Sequence, residues 1–320
     1  MPPGSCAWQR RLTLKNMPEK NITYLTRKEI DITRWDDCIN TSPNGLINSS
    51  SFFLDHTSPG WEALVWGNYE AVMPLTIGKK YGVRYLFQPP YLKQAGVTGP
   101  SVTPAQVDDF LQAVPSKYKL IDIDLHENNH TEKFSTYSSQ RVNMLLDLQN
   151  DYPVINEQYH RLARRMIKRA TDEGISIEVN GDIDRCMAFY REHYQPVLQQ
   201  ADSIYQRMTA LFKDACAQGK GLCLAATKGG ELLGMYALLY DQRAVYSVLG
   251  GSSAKGKEWG TFHLLTDQAI RHFAGSQRMF RFEGSDFPGI ADFNKQFGPS
   301  VVHYTHLYIN RLPLLFKWLK

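Results

Sequence analysis

Residues 222–263 read LCLAATKGGELLGMYALLYDQRAVYSVLGGSSAKGKEWGTFH, and the spacing of apolar residues along this stretch decides the fold class. Three strand-length apolar runs, 222–227, 232–240 and 244–249, are separated by the turn formers Lys228-Gly229-Gly230 and Asp241-Gln242-Arg243. A glycine-rich stretch follows, and then the apolar period lengthens to that of a helix over 261–274. Working outward, a strand at 279–283, a short helix at 290–297 and a long strand at 301–309 come next. Before the meander lie a strand at 175–179 and helices at 183–198 and 204–217. The order β-α-α-β-β-β-α-β-α-β predicts an α/β fold with a mixed sheet.

The first half holds a rougher copy of this order. Strands are expected at 63–66, 69–77 and 83–87, with Gly67-Asn68 as the hairpin turn between the first two. Thr103-Pro104 reads as an N-cap followed by proline at N1, opening a helix on which Val107, Phe110, Leu111 and Val114 share a face. Strands at 120–125 and 142–148 close the copy. A chain of 320 residues exceeds what one hydrophobic core usually fills, so a duplicated domain is expected. The joint falls near Asp151-Tyr152-Pro153, giving domains 17–150 and 151–320, with residues 1–16 as an extension without structure.

Composition narrows the function. At 43% apolar and 21% charged residues the chain is globular, not fibrous or disordered. Residues 1–150 hold 15 Lys/Arg against 15 Asp/Glu, so the second half carries the whole formal charge of +4, which points to an anionic ligand there. Five scattered cysteines without a CxxC pair argue against a disulfide framework and a zinc site, and no His/Cys/Asp cluster has metal-ligand spacing. No signal-type h-region or run of ~18 apolar residues occurs, so a soluble cytoplasmic protein without an integral membrane segment is expected. The C-terminal RLPLLFKWLK, 311–320, reads either as a segment packed on its domain or as one lying on an anionic membrane surface.

Four stretches carry a resemblance: RWDDCINTSPNGLINSSSFFLD (34–55), PLTIGKKYGVRYLFQPPYLKQAG (74–96), YHRLARRMIKRATDEGISIEV (159–179) and RFEGSDFPGIADFNKQFG (281–298). In this order they resemble the FemABX-like branch of the GNAT superfamily, with two tandem GNAT-like domains in one chain. The resemblance implies bacterial-type N-acyl transfer from an activated donor, acyl-CoA or similar, to a small-molecule amine bound between the domains. It also implies that the donor enters where two parallel strands splay, its phosphates resting on backbone N–H groups before the next helix. Matched element by element, that place is GGSSAKGKEWGTFHLL (250–265). Gly250, Gly251, Ser252 and Ser253 would offer backbone N–H and hydroxyl groups, Lys255 and Lys257 charge, and Gly260 and Thr261 the helix start. The family fingerprint fits Lys257 to Gly260 and then fails at Phe262, where a small residue is usual. A plain strand-to-helix turn with solvated lysines is the competing reading.

For proton transfer the candidates are Glu283 and Asp286, with Ser285 between them, at the end of the strand flanking the donor site. Alternatively, residues 283–286 turn the chain and cap the next helix. His263, His303 and Tyr304 are weaker candidates. Arg161, Arg164, Arg165 and Lys168 share a helical face, continued by Arg169, and make a basic stripe for an acceptor or for phosphates. That stripe is expected to border the interdomain cleft and not the donor loop. Two other functions remain open: a Fem-like aminoacyltransferase using aminoacyl-tRNA in cell-wall precursor modification, and a non-catalytic binding protein on the same scaffold.

Overall fold

The computed structural model describes residues 22–312; the proposed extension 1–16 and residues 313–320 of the C-terminal stretch lie outside them. The first half begins with β1 (Ile22–Leu25), α1 (Ile32–Thr41) and α2 (Ser51–Thr57). Strands β2 (Glu62–Trp66), β3 (Ala71–Leu75), β4 (Ile77–Lys80) and β5 (Val83–Phe87) follow. Then come α3 (Pro104–Ala113), β6 (Tyr118–Asp124) and β7 (Ser138–Asp147). The expected strand at 69–77 is thus two strands, because β3 belongs to a small sheet β1-β2-β3 while β4 starts the main one. Thr103 caps α3 by accepting from Gln106 N, with Pro104 in the first turn.

The second half contains α4 (Tyr152–Glu157), α5 (Arg161–Asp172), β8 (Ser176–Val179), α6 (Ile183–Leu198) and α7 (Asp202–Ala217). The meander is β9 (Gly221–Lys228), β10 (Glu231–Tyr240) and β11 (Ala244–Ser252). It continues through α8 (Ala254–Trp259), α9 (Thr261–Phe273), β12 (Met279–Arg281), α10 (Pro288–Asn294) and β13 (Ser300–Asn310). Each half has one parallel pair linked by a helix, β5 with β6 through α3 and β11 with β12 through α9.

One ten-stranded mixed sheet joins the halves in the order β4-β5-β6-β13-β7-β12-β11-β10-β9-β8. The halves exchange their last strands. β13, from the end of the chain, pairs with β6 over five residues, and β7, from the first half, pairs with β12. Three buried clusters cover the sheet and its neighbours. One lies with α3 on the first half, one with α5 and α9 on the second, and one sets α1 and α2 against α6 and α7. In this last cluster Trp35 and Trp61 are fully buried with ring centroids 4.7 Å apart, a large apolar contact tying α1 to the small sheet. Among the described residues no helix is long and apolar enough to cross a membrane.

Candidate functional site

The site begins where two parallel strands part. β11 and β12 pair from Ala244 opposite Met279 to Tyr246 opposite Arg281. Beyond that point β11 runs on to Ser252, paired there with β10. The chain after Arg281 turns instead onto β7: Phe282 N donates to Met144 O at 3.0 Å and Glu283 N to Asn143 Oδ1 at 3.1 Å. A wedge therefore opens at Ser247, between the far half of β11 and residues 282–286.

Glu283 stands at the mouth of that wedge. It is buried, and its backbone is left-handed at φ 50°, a conformation a non-glycine residue holds only when its surroundings impose it. Asn143 imposes it from two sides, accepting the Glu283 N–H and donating Nδ2 to Oε2 at 3.3 Å. Arg281 Nε donates to Oε1 at 3.2 Å. The rest of that guanidinium is taken up by both oxygens of Glu127 and by Gln94 Oε1 at 3.2 Å. Burial pushes the Glu283 carboxyl above its ordinary value, against the opposing pull of Arg281. Lys93, from the segment after β5, adds a further positive field at Glu283 and lies 6.0 Å from the Phe287 ring.

The other two candidates nearby are structurally engaged. Asp286 accepts from Val142 N at 2.9 Å and from the Tyr304 hydroxyl, so it closes the free edge of β7. Of the alternative that residues 283–286 turn the chain and cap the next helix, the turn is present, with Phe287 N donating to Gly284 O at 3.1 Å, but the cap is not, since α10 has Phe287 at its N-cap without a side-chain bond. Ser285 is buried and accepts from Asn294 Nδ2 at 3.1 Å. His263 bonds Gln296 at 3.1 Å and is held below its ordinary pKa by burial, and His303 is exposed on β13.

The donor stretch differs from its expected loop. Gly250, Gly251 and Ser252 continue β11 opposite Tyr236, Met235 and Gly234. A Cβ at Gly250 would come 2.7 Å from the Tyr236 ring and 2.8 Å from that of Phe262, and one at Gly251 would collide with Tyr194. These glycines make room for aromatic rings, and Phe262 does crowd the cradle. Ser252 N donates to the Tyr194 hydroxyl at 3.0 Å, and Ser253 caps α8 by accepting from Gly256 N. Lys255 is tied to Glu231 at 2.7 Å, whereas Lys257 lies over the Tyr194 ring at 5.5 Å. Gly260, at φ 79°, ends α8 and begins α9, and Thr261 is fully buried.

The basic stripe also lies elsewhere than expected. It borders the donor stretch: Arg169 pairs with Glu258 of α8 at 3.0 Å, and the Met166 carbonyl covers Gly260. The reason is packing, since α5 uses its apolar side against α9 in the second core. Lys168 pairs with Asp172 at 2.7 Å and Arg164 donates to Glu157 O at 2.7 Å. Arg161 and Arg165 are exposed and make no ion pair among the described residues.

Sequence reasoning missed Arg281, Glu127, Gln94, Asn143 and Lys93. One signal was present: Glu127 sits in LHENN, polar residues directly after an apolar strand, the position where α/β sheets place their ligands. Nothing local marks Asn143, whose role depends on a partner 140 residues away.

Residues 158–288 match the acetyltransferase (GNAT) domain family. No curated protein matches the sequence. Among solved structures, FemX is similar with a TM-score of 0.64 at 12% identity, covering 90% of this chain and 98% of that one. A tandem GNAT protein from the clavulanic acid biosynthesis pathway gives 0.53 at 11% identity, covering 92% and 99%. L-PGS from Bacillus licheniformis gives 0.51 at 11%, covering 88% and 91%. The fold of the chain is thus similar to those of FemX and of tandem GNAT proteins, with the GNAT-domain match in its second half.

Proposed function

We propose that this GNAT-fold chain is an N-acyltransferase that moves an acyl group from an activated donor to an amine held between its halves. The observation that carries the reading is Glu283, a buried carboxyl fixed at a left-handed backbone position where β11 and β12 part. In the proposed step Glu283 takes a proton from the acceptor ammonium, and the freed nitrogen attacks the acyl carbonyl carbon. A new C–N bond forms as the bond to the leaving thiolate or ribose oxygen breaks; the nitrogen's second proton ends on that leaving group, and Glu283 passes the first to solvent. A carboxyl raised by burial suits this role better than an exposed one. Lys93 supplies positive charge near the developing oxyanion. We place the activity in the cytoplasm, where such donors are made. The test is turnover with a panel of acyl-CoAs and amines: Glu283→Gln should lose at least about a hundredfold, and unchanged turnover would reject the base.

A second reading concerns the donor. The rings of Phe262 and Tyr194 lie where side chains at Gly250 and Gly251 would stand, which speaks against a pyrophosphate at these glycines. Arg161 and Arg165 on the neighbouring α5 favour a longer polyanion, such as aminoacyl-tRNA, reaching the wedge from that side. Filter binding of charged tRNA at two salt concentrations decides between the donors; absence of salt-sensitive binding removes tRNA. A protein binding neither donor would be better explained as an interaction module on this scaffold.

A further inference from the structure

Across β5, β6 and β13 the strand period sorts side chains onto two faces. Leu86, Ile121, Ile123, Leu307 and Ile309 pack with α3 in a buried core. Tyr85, Phe87, Leu120 and Asp122 point the other way, remain half-buried, and line a cavity of about 240 Å³ together with Tyr81 and Leu312.

Its walls are aromatic. Tyr85 and Phe87 meet edge to face with centroids 5.6 Å apart. Tyr85 lies across Gly78 of β4, where any Cβ would collide with the ring, so the glycine sets the ring's position. Asp122 supplies the charge. Its side chain is 47% exposed, and its one ion pair among the described residues is a long contact to His306 Nε2 at 3.6 Å. His306 is oriented by a shorter contact, Nδ1 to Asp124 at 2.9 Å, and Asp124 is matched by Arg141 at 2.8 Å. The inner carboxylate is therefore balanced and the outer one is not. Lys80, the cation lining the cavity, lies over the Tyr81 ring at 5.5 Å and makes no ion pair with Asp122.

We propose that this cavity binds an organic ammonium group. A half-exposed carboxylate whose one ion pair among the described residues is the long contact to His306 offers such a group, beside aromatic walls, charge and ring faces together, while an anion would meet Asp122 and a neutral apolar ligand would leave it unused. The cavity belongs to β5 and β6, whereas Glu283 follows β12, three strands from β6 and about 14 Å away at normal strand spacing. It is therefore a second site, independent of the acyl-transfer reading.

The test is methyl NMR of Leu120 in the full-length protein, titrated with choline and with its neutral carbon analogue, in which a tert-butyl group replaces trimethylammonium. Choline should give saturable shifts with millimolar affinity, and the neutral analogue should bind about tenfold more weakly. Asp122→Asn should erase that preference, and Gly78→Val, by displacing Tyr85, should weaken both ligands without touching the carboxylate. A dispersed methyl spectrum for each variant shows that it is folded. Equal binding of the two ligands, choline binding unaffected by Asp122→Asn, or no saturable shift would each overturn the proposal.

Discussion

Arg243 Nη2 donates to the carbonyl of Ile39 at 3.0 Å across 204 residues of sequence. The same guanidinium reaches the carbonyls of Asn40 and Ser42 at 2.9 and 2.8 Å. A helix leaves its last carbonyls without intrahelical partners, so a cation from the turn before β11 closes the end of α1 and joins the two halves. Gly45 lets the chain pass, since a Cβ there would collide with the Ile39 carbonyl. Arg243→Ala should lower the unfolding free energy by about 2–3 kcal/mol, and Arg243→Lys should restore only part of it, because an ammonium lacks the planar fork. Chemical denaturation measures both.

Gly260 combines φ 79° with the Met166 carbonyl at the place of its missing side chain. Gly260→Ala should cost about 2–4 kcal/mol and lower the melting temperature. Any activity lost in that variant reports on folding. Lys257→Ala, whose side chain forms no ion pair among the described residues, should keep stability within about 0.5 kcal/mol and so tests the proposed donor contact without unfolding the chain.

The Phe262 ring meets Tyr236 at 4.9 Å and Phe293 at 5.3 Å between centroids. Phe262→Ala should cost about 2–3 kcal/mol of stability and open the space beside Gly250. If this ring is what excludes a pyrophosphate, acyl-CoA affinity by calorimetry rises about tenfold in the variant. Unchanged affinity means that something other than Phe262 sets the donor.

Glu283 is raised chiefly by burial, so the folded chain holds its proton more tightly than the unfolded chain. Between the ordinary carboxylate value and the raised one, the folded state carries more protons, and its stability falls as pH rises. Glu283→Gln keeps the shape and removes this dependence. The variant's stability relative to the parent should therefore grow as pH rises above the ordinary carboxylate value, followed by denaturant midpoints. A difference that stays flat with pH would mean that Glu283 ionises as an ordinary surface carboxylate.

His126 is fully buried, and burial, assisted by the Arg281 charge, pushes its pKa down to about 3. In the unfolded chain an ordinary imidazole takes its proton below about pH 6.5. Folding stability should then decline as pH falls from there toward 3, with about 2 kcal/mol lost by pH 5 from this group alone. His126→Gln should flatten that acid limb, which melts at stepped pH would show.

The sequence by itself determined the local elements. The alternation in 222–249 marks β9, β10 and β11, and the helix read at 183–198 is α6 residue for residue. A strand-end carboxylate at 283 is legible for the same reason, since strand ends follow from period and turn formers. Three features depended on tertiary structure. β13 lies between β6 and β7, because strand exchange depends on pairing energies between distant segments. The same distance hides Asn143, Gln94 and Arg281, which share one site with Glu127 only after the halves interlock. The glycines at 250 and 251 fit a phosphate loop and an aromatic packing surface equally well in sequence. Phe262 and Tyr194 are brought over them by α9 and α6, because what fills the space beside a glycine is set by neighbours the local chain does not name.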